Sequence, residues 1–325
     1  MKNTQIITKG ISLFGSTNVD SLTFPSSGLD WSVEKNPLVS LLEGKYPLPI
    51  KSHMAVHRTD TNQPLGIVGS GYEPIQNGQM WEATQRSLEG VNHEIVGAGF
   101  THGGSRTFLQ VRVQDEDFRV RGDEFVNLLT FYTSHDGSSA FECFDTSVRI
   151  VCQNTLQAAR KSKGGAFKLK VRHTRNASIY FENMMQHLER IFEIRRDVAI
   201  KLSSLAAKPM TREQMVAWAT SFYSRQNKLT GQAVSKAGET VRLAFTGMGN
   251  RGQTAYDLLN GVTEMLTHGQ RDSKRSSEDI FKSSEFGSAS TAKVDAFQRL
   301  TDNSVANFDI GRGRQLIELG EFVNA

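Results

Sequence analysis

His93-Glu94-Ile95-Val96-Gly97-Ala98-Gly99-Phe100, then Thr101-His102-Gly103-Gly104, then Thr107-Phe108-Leu109-Gln110-Val111-Arg112-Val113 reads as two strands around a glycine-rich break. Apolar and β-branched runs of this length, separated by so short a turn, predict a β-hairpin. Upstream, Met54–Arg58 and Leu65–Val68 flank the polar turn Thr59–Pro64 and predict a second hairpin. Between the two lies the punctuated loop Gly69–Asn77. Asn77 reads as the N-cap of a helix over Gly78–Leu88, with Met80, Ala83, Thr84 and Leu88 on one side.

Downstream, Phe118–Arg121 and Phe125–Thr133 read as strands, Asp136-Gly137 as a turn, and Ala140–Phe144 and Ser147–Val151 as further strands. Asn154–Ala159 reads as a short helix with Asn154 as its cap. Phe167–Arg172 alternates Phe167, Leu169 and Val171 with Lys168, Lys170 and Arg172. Period two with that polarity predicts one apolar and one basic face.

Beyond Thr174 the period lengthens. Ile179, Met184, Leu188, Ile191, Phe192, Val198, Leu202 and Leu205 recur at helical spacing, so Asn176–Ala207 reads as a long helix that Pro209 stops. Thr211 and Gln214 form a capping-box pattern for a helix to Leu229. Glu239–Thr246, Gln253–Thr267 and Thr291–Leu300 read as helical, and Ser273–Ser290 as a serine- and charge-rich linker. The fold class expected is α+β. The plan is an N-terminal arm (1–44), a β-hairpin-rich antiparallel sheet domain with packed helices (45–175), an all-helical part (176–272), and a Ser-rich linker with a C-terminal helical tail (273–325).

Composition narrows the function. The chain has 325 residues, with 38 Lys plus Arg against 34 Asp plus Glu, a net charge of +4. No apolar run approaches the ~18 residues of a membrane span, and the polar start, Met1–Gly10, is unlike a secretory signal. Its cysteines, Cys143 and Cys152, form no CxxC pair, which argues against a disulfide scaffold or structural zinc and for a reducing cytoplasm. Thr246-Gly247-Met248-Gly249-Asn250-Arg251-Gly252 lacks the GK[ST] ending of a phosphate loop. No cofactor and no metal is expected.

The charge is unevenly spread. Between Asp145 and Glu182 no acid occurs, while Arg149, Arg160, Lys161, Lys163, Lys168, Lys170, Arg172 and Arg175 do. The remaining 30 basic and 34 acidic residues leave an acidic body with one basic segment. Such a segment is the electrostatic footprint of a phosphate-backbone site. Phe167 and Tyr180 flank it and are the candidates for stacking on unpaired bases. Ser134-His135-Asp136-Gly137 offers a polar site. Adjacent strand residues face opposite ways, so His135 and Asp136 do not make an orienting pair there. Asn154 is the further polar candidate, as the cap of an anion-favouring helix N-terminus.

Five stretches occur in order: Gly71-Tyr72-Glu73-Pro74-Ile75-Gln76-Asn77, Ala98–Gly104, Ser134-His135-Asp136-Gly137-Ser138-Ser139, Arg149-Ile150-Val151-Cys152-Gln153-Asn154-Thr155-Leu156 and Lys170-Val171-Arg172-His173-Thr174. With the later Thr254–Glu264, they resemble the phage- and plasmid-encoded family of "domain of unknown function 932" over roughly 45–270. The resemblance implies a mobile-element origin in a bacterial cytoplasm and no settled reaction. A hairpin-rich core with a basic ridge is also similar to the single-strand annealing recombinases, which implies a homo-oligomer, such as a ring, that uses no nucleotide.

Two classes of function follow. The first is ATP-independent binding and annealing of single-stranded DNA, with RNA as the other polyanion the ridge would accept, and with no membrane partner. The second is an enzyme, a metal-dependent nuclease or other phosphodiester enzyme, with His135, Asp136, Glu142 and Asp145 as ligands or base. A third reading is a mobile-element protein that binds and inhibits a host protein. The first is preferred, because the residues carry a charge pattern but no convergent catalytic set.

Overall fold

The computed structural model describes residues 5–8, 17–44, 46–114, 117–149, 154–156, 169–177, 184–224, 228–267, 279, 283–284, 287–318 and 322–323. The chain divides into two compact units. One comprises Met1–Asp115, Leu128–Asp145 and Phe167–Phe192, the other Glu116–Asn127, Thr146–Ala166 and Glu193–Ala325. The α+β class is the one observed, with an antiparallel sheet in the N-terminal part and helices after it.

The first unit opens with β1 (Gln5–Thr8), β2 (Thr17–Asn18), β3 (Val33–Ser40), β4 (Leu48–Arg58) and β5 (Pro64–Gly69). Then come α1 (Asn77–Ser87), β6 (His93–Thr101) and β7 (Arg106–Val113). The β6–β7 hairpin forms as its sequence predicts, pairing Ala98 with Leu109 and Thr101 with Arg106. Its turn holds His102 and Gly103 at φ 53 and 69, left-handed backbone that glycine adopts freely and histidine tolerates. Strands β3, β4 and β5 form a separate antiparallel sheet.

Strand β8 (Phe118–Val120) lies in the second unit, while β9 (Asp123–Ser134) and β10 (Phe141–Arg149) each continue from one unit into the other. Within the first unit, β9 pairs with β7 from Arg112↔Leu128 to Arg106↔Ser134. Strand β11 (Asn154–Leu156) pairs with β10 at Ser147–Arg149 in the second unit. Strand β12 (Leu169–Val171) pairs with Phe141–Cys143 in the first. The helix expected at Asn154–Ala159 is therefore a strand where it is described: the free partner groups of β10 outweigh the local capping signal of Asn154.

The core of the first unit gathers Val56, Val68, Ile75, Met80, Leu88, Leu109, Val111, Leu129, Phe131, Phe141 and Cys143. Leu29, Trp31 and Val33, from the stretch read as an arm, are buried in the same core. A 3₁₀ turn over Pro25–Ser27 turns the chain inward, and Trp31 Nε1 donates to Gly28 O at 2.9 Å. Helix α1 starts one residue earlier than expected. Gln76, not Asn77, is its cap, in a reciprocal box with Gln79.

The second unit holds α2 (Met184–Ala207, from Glu193 onward), α3 (Arg212–Tyr223), β13 (Leu229–Thr230) and α4 (Gly231–Thr246). These are followed by α5 (Ala255–Thr267), α6 (Ser288–Thr301), α7 (Asn303–Glu318) and β14 (Phe322–Val323). The Thr211–Gln214 box caps α3 as expected. Helix α4 is longer than expected because Thr230 Oγ1 accepts from Ala233 N–H and starts it early. Helix α7 was not legible in the sequence, since Gly311 and Gly313 break its pattern. Gly313 lets α7 lie against α3: a Cβ there would run into the carbonyl oxygen of Ala217. The core includes Leu202, Met215, Trp218, Val241, Tyr256, Leu259, Phe297 and Leu300. No helix among the described residues is long and apolar enough to cross a membrane.

Candidate functional site

Four of the five motif stretches meet in the first unit. The Tyr72 hydroxyl donates to Ser134 O at 2.6 Å, and its ring stacks on His173, with centroids 4.6 Å apart and planes at 19°. Glu73 N–H donates to His173 O at 3.1 Å. At the first residue of α1, Asn77 Nδ2 donates to Trp31 O at 3.1 Å. That leaves Asn77 Oδ1 to accept, so His135, 3.1 Å away, is the Nε2–H tautomer. His135 N–H donates to Ser105 O at 2.7 Å, which ties in the β6–β7 turn.

The face of β9 explains this convergence. Phe131, Thr133 and His135 alternate onto one side, and all three are buried. Thr133 Oγ1 lies 3.2 Å from His173 Nε2. Trp31 meets His135 edge-on at 5.6 Å and carries the Arg58 guanidinium over its ring at 4.0 Å. Arg58 is neutralised by Asp60, which accepts at 2.9 and 2.6 Å. That pair holds the Asp60 carboxyl below its ordinary range.

Burial pushes His135 down to about 3, with His173 and Arg58 adding repulsion. Burial likewise pushes His173 down to about 4, against hydrogen bonding from the backbone of Glu73 and Ser139. Burial raises the Tyr72 hydroxyl. At neutral pH both imidazoles are uncharged. His135 is wholly enclosed and its Nδ1 has no hydrogen-bond partner among the described residues. Among the described residues it is enclosed and braces the turn Ser134–Ser139 from the core side.

Asp136 is the turn residue that Asp-Gly predicts. Its Oδ1 accepts from Ser138 N–H at 2.8 Å and its Oδ2 stands 4.0 Å from Arg106 Nε. Glu142 is buried beside Lys170 at 3.7 Å. Among the described residues no group of three or more His, Cys, Asp or Glu is placed to hold a metal ion. The ligand set His135, Asp136, Glu142 and Asp145 is thus not assembled: His135 faces the core and Asp136 the surface turn.

The surface of this seam is basic. Lys170 points outward from β12 while Val171 points in, and Arg172 continues the exposed side. Arg175 follows, 91% exposed and 4.0 Å from Glu73. Lys35 on β3 reaches the same glutamate at 2.9 Å and donates to Tyr72 O at 2.7 Å. Of the other basic candidates, Arg160, Lys161, Lys163 and Lys168 lie outside the described residues, as do Phe167 and Tyr180. Arg149 ends β10 in the second unit and pairs there with Asn154 in β11. Asn154 is thus a strand residue and caps no helix.

A family model described as Domain of unknown function (DUF932) matches residues 64–301. The chain belongs to that family. In DUF932 terms the matched span takes in α1, the β6–β7 hairpin, the His135 turn and β12, so Tyr72, Glu73, His135 and His173 lie within it, while Trp31, Lys35 and Arg58 precede it. No curated protein and no solved structure gives a significant match to the chain.

Sequence reasoning missed Tyr72, Glu73 and Lys35 as site residues. For Tyr72 and Glu73 a signal existed, since they belong to the first motif. Lys35 comes from the supposed arm, where nothing local marked it. The glycine-rich loop before α5 is settled by Asp257, which is buried in the second unit. The carboxylate accepts from Arg251, Gln253 and Thr254 N–H, each at 3.0 Å, and from Arg121 Nη1 at 3.1 Å. Burial alone would raise Asp257, yet these donors hold it below its ordinary value. The loop's donors thus serve an internal carboxylate.

Proposed function

We propose that this DUF932 protein binds single-stranded nucleic acid, DNA foremost, and anneals or protects it as a homo-oligomer without nucleotide hydrolysis. The setting we infer is the cytoplasm of a bacterium carrying a phage or plasmid. The observation that carries the reading is the outward row Lys170, Arg172 and Arg175 along β12 and the turn after it. These residues belong to the window without acids. Their carboxylate neighbours stand at 3.7 Å from Lys170 and 4.0 Å from Arg175, loose pairs that a phosphate can displace. The seam of Tyr72, His173 and His135 supports the reading by fixing the strand that carries the row.

The test is fluorescence anisotropy of a labelled ~30-nucleotide single strand over salt from about 50 to about 200 mM. Each phosphate neutralised contributes a slope of about −0.7 in log K against log salt. A slope steeper than about −2 fits three or more contacts. A flat response, or no binding at the lowest salt, overturns the reading.

A further inference from the structure

Strands β3 and β4 extend well past β5. Strand β5 pairs with β4 only from His53 to His57, whereas β3 pairs with β4 as far as Ser40↔Leu48. Leu38–Ser40 and Leu48–Ile50 therefore pair as a two-stranded ribbon, with no third strand beside it among the described residues. A surface ribbon is ordinarily polar, but this one reads Leu38-Val39-Ser40-Leu41-Leu42-Glu43-Gly44-Lys45-Tyr46-Pro47-Leu48-Pro49-Ile50. Tyr46 is 91% and Leu41 76% exposed, and Val39, Leu42, Leu48 and Ile50 are exposed with them. On β5, opposite Ala55 and outside the ribbon, Ile67 is 63% exposed as well.

We propose that this ribbon is the contact by which a second copy of the chain docks, ribbon against ribbon about a two-fold axis. Area argues for a protein partner. With Val39 on the opposite face, Leu41, Leu42, Tyr46, Leu48 and Ile50 leave on the order of 600 Å², the top of what an ordinary monomer keeps in one patch and most of the ~800 Å² each partner gives a standard interface. Charge argues for self-association. The thirteen-residue stretch carries one acid and one base, Glu43 and Lys45, so two copies meet without net repulsion. A ribbon this poor in cations does not attract a phosphate backbone, which separates it from the basic row. Pro47 and Pro49 lack the N–H that strand addition requires, so the ribbon docks through side chains and is shielded from open-ended edge pairing. An isologous contact of this kind closes as a dimer.

The inference rests on the oligomeric part of the reading above and not on its nucleic-acid part. Sedimentation equilibrium of the full chain over a range of protein concentrations tests it, with the variants Leu41→Ser/Tyr46→Ser/Leu48→Ser and, separately, Tyr46→Asp. The wild type is expected as a dimer. The variants should keep the wild-type circular dichroism, since the replaced groups are exposed, and raise the dimer dissociation constant at least about 100-fold. A monomeric wild type, or variants that dimerise as tightly as wild type, overturns the proposal. So does a ribbon variant that loses oligonucleotide binding with its dimerisation intact, because the ribbon then meets nucleic acid. Oligonucleotide binding by a wild type that stays monomeric sinks this contact and leaves the nucleic-acid reading standing.

Discussion

The Tyr72 ring lies over the His173 imidazole, with centroids 4.6 Å apart, while its hydroxyl reaches past to Ser134 O at 2.6 Å. One side chain thus joins the loop before α1, the end of β9 and the turn after β12. Tyr72→Phe keeps the stack and leaves the Ser134 carbonyl without that donor, a loss of about 1 kcal/mol. Tyr72→Ala removes the ring as well and is expected to cost about 3–5 kcal/mol. Urea unfolding of both variants checks this. Equal effects would mean that the stack contributes nothing.

Acid should weaken the fold in a window set by the two buried histidines. Both are held below the ordinary value of 6.5, at about 3 for His135 and about 4 for His173. The unfolded chain then binds protons that the folded chain refuses, so stability present above about pH 6.5 is lost as pH falls toward the folded values. Each unit of difference is worth about 1.4 kcal/mol. The depressed carboxylates Asp60 and Asp257 titrate from 3.8 downward and act only in stronger acid. Urea midpoints should fall steadily from pH 7 to about pH 4.5, and His173→Gln should flatten that slope. A pH-independent midpoint in wild type would refute the account.

Two glycines of α7 make a matched pair. Gly311 has nothing within 4 Å of a built Cβ, whereas at Gly313 the same atom collides with the Ala217 backbone. Gly311→Ala should stabilise by about 0.5–1 kcal/mol through helix propensity. Gly313→Ala should destabilise by about 2 kcal/mol or more, because backbone on α3 cannot move aside as a side chain does. Thermal melts of the two variants against wild type decide it. Shifts of the same sign would show that α3 and α7 do not touch there.

Local chemistry was enough to read the β6–β7 hairpin, the Asp136-Gly137 turn, the Thr211 cap and the stop at Pro209. It failed where pairing partners decide. Asn154 carries a capping signal, yet β10 draws it into a strand. Trp31 and Lys35 sit among turn residues, and only the folded sheet shows that one is core and the other part of the seam. In the site, the outward side of Lys170 and Arg172 was legible from period two. The enclosure of His135 was not, because a polar residue at a strand end reads as exposed until Trp31 and Asn77 close over it.

The basic row makes the sharpest claim on nucleic acid. Arg172 and Arg175 project outward, and neither is needed for the buried seam. Replacing both by alanine should leave the urea midpoint within about 0.5 kcal/mol of wild type. If each arginine neutralises one phosphate, the salt slope for a single strand should flatten by about 1.4 in all, and affinity should drop to a similar extent for oligonucleotides of different sequence. The matched control is Arg86→Ala/Arg119→Ala, which removes two exposed arginines from elsewhere on the chain, each beside a carboxylate. It carries the same change in net charge, so long-range attraction falls equally in both variants. Only contact with phosphate predicts a loss confined to Arg172 and Arg175, and equal losses in the two variants would reduce the row to a solvated basic edge.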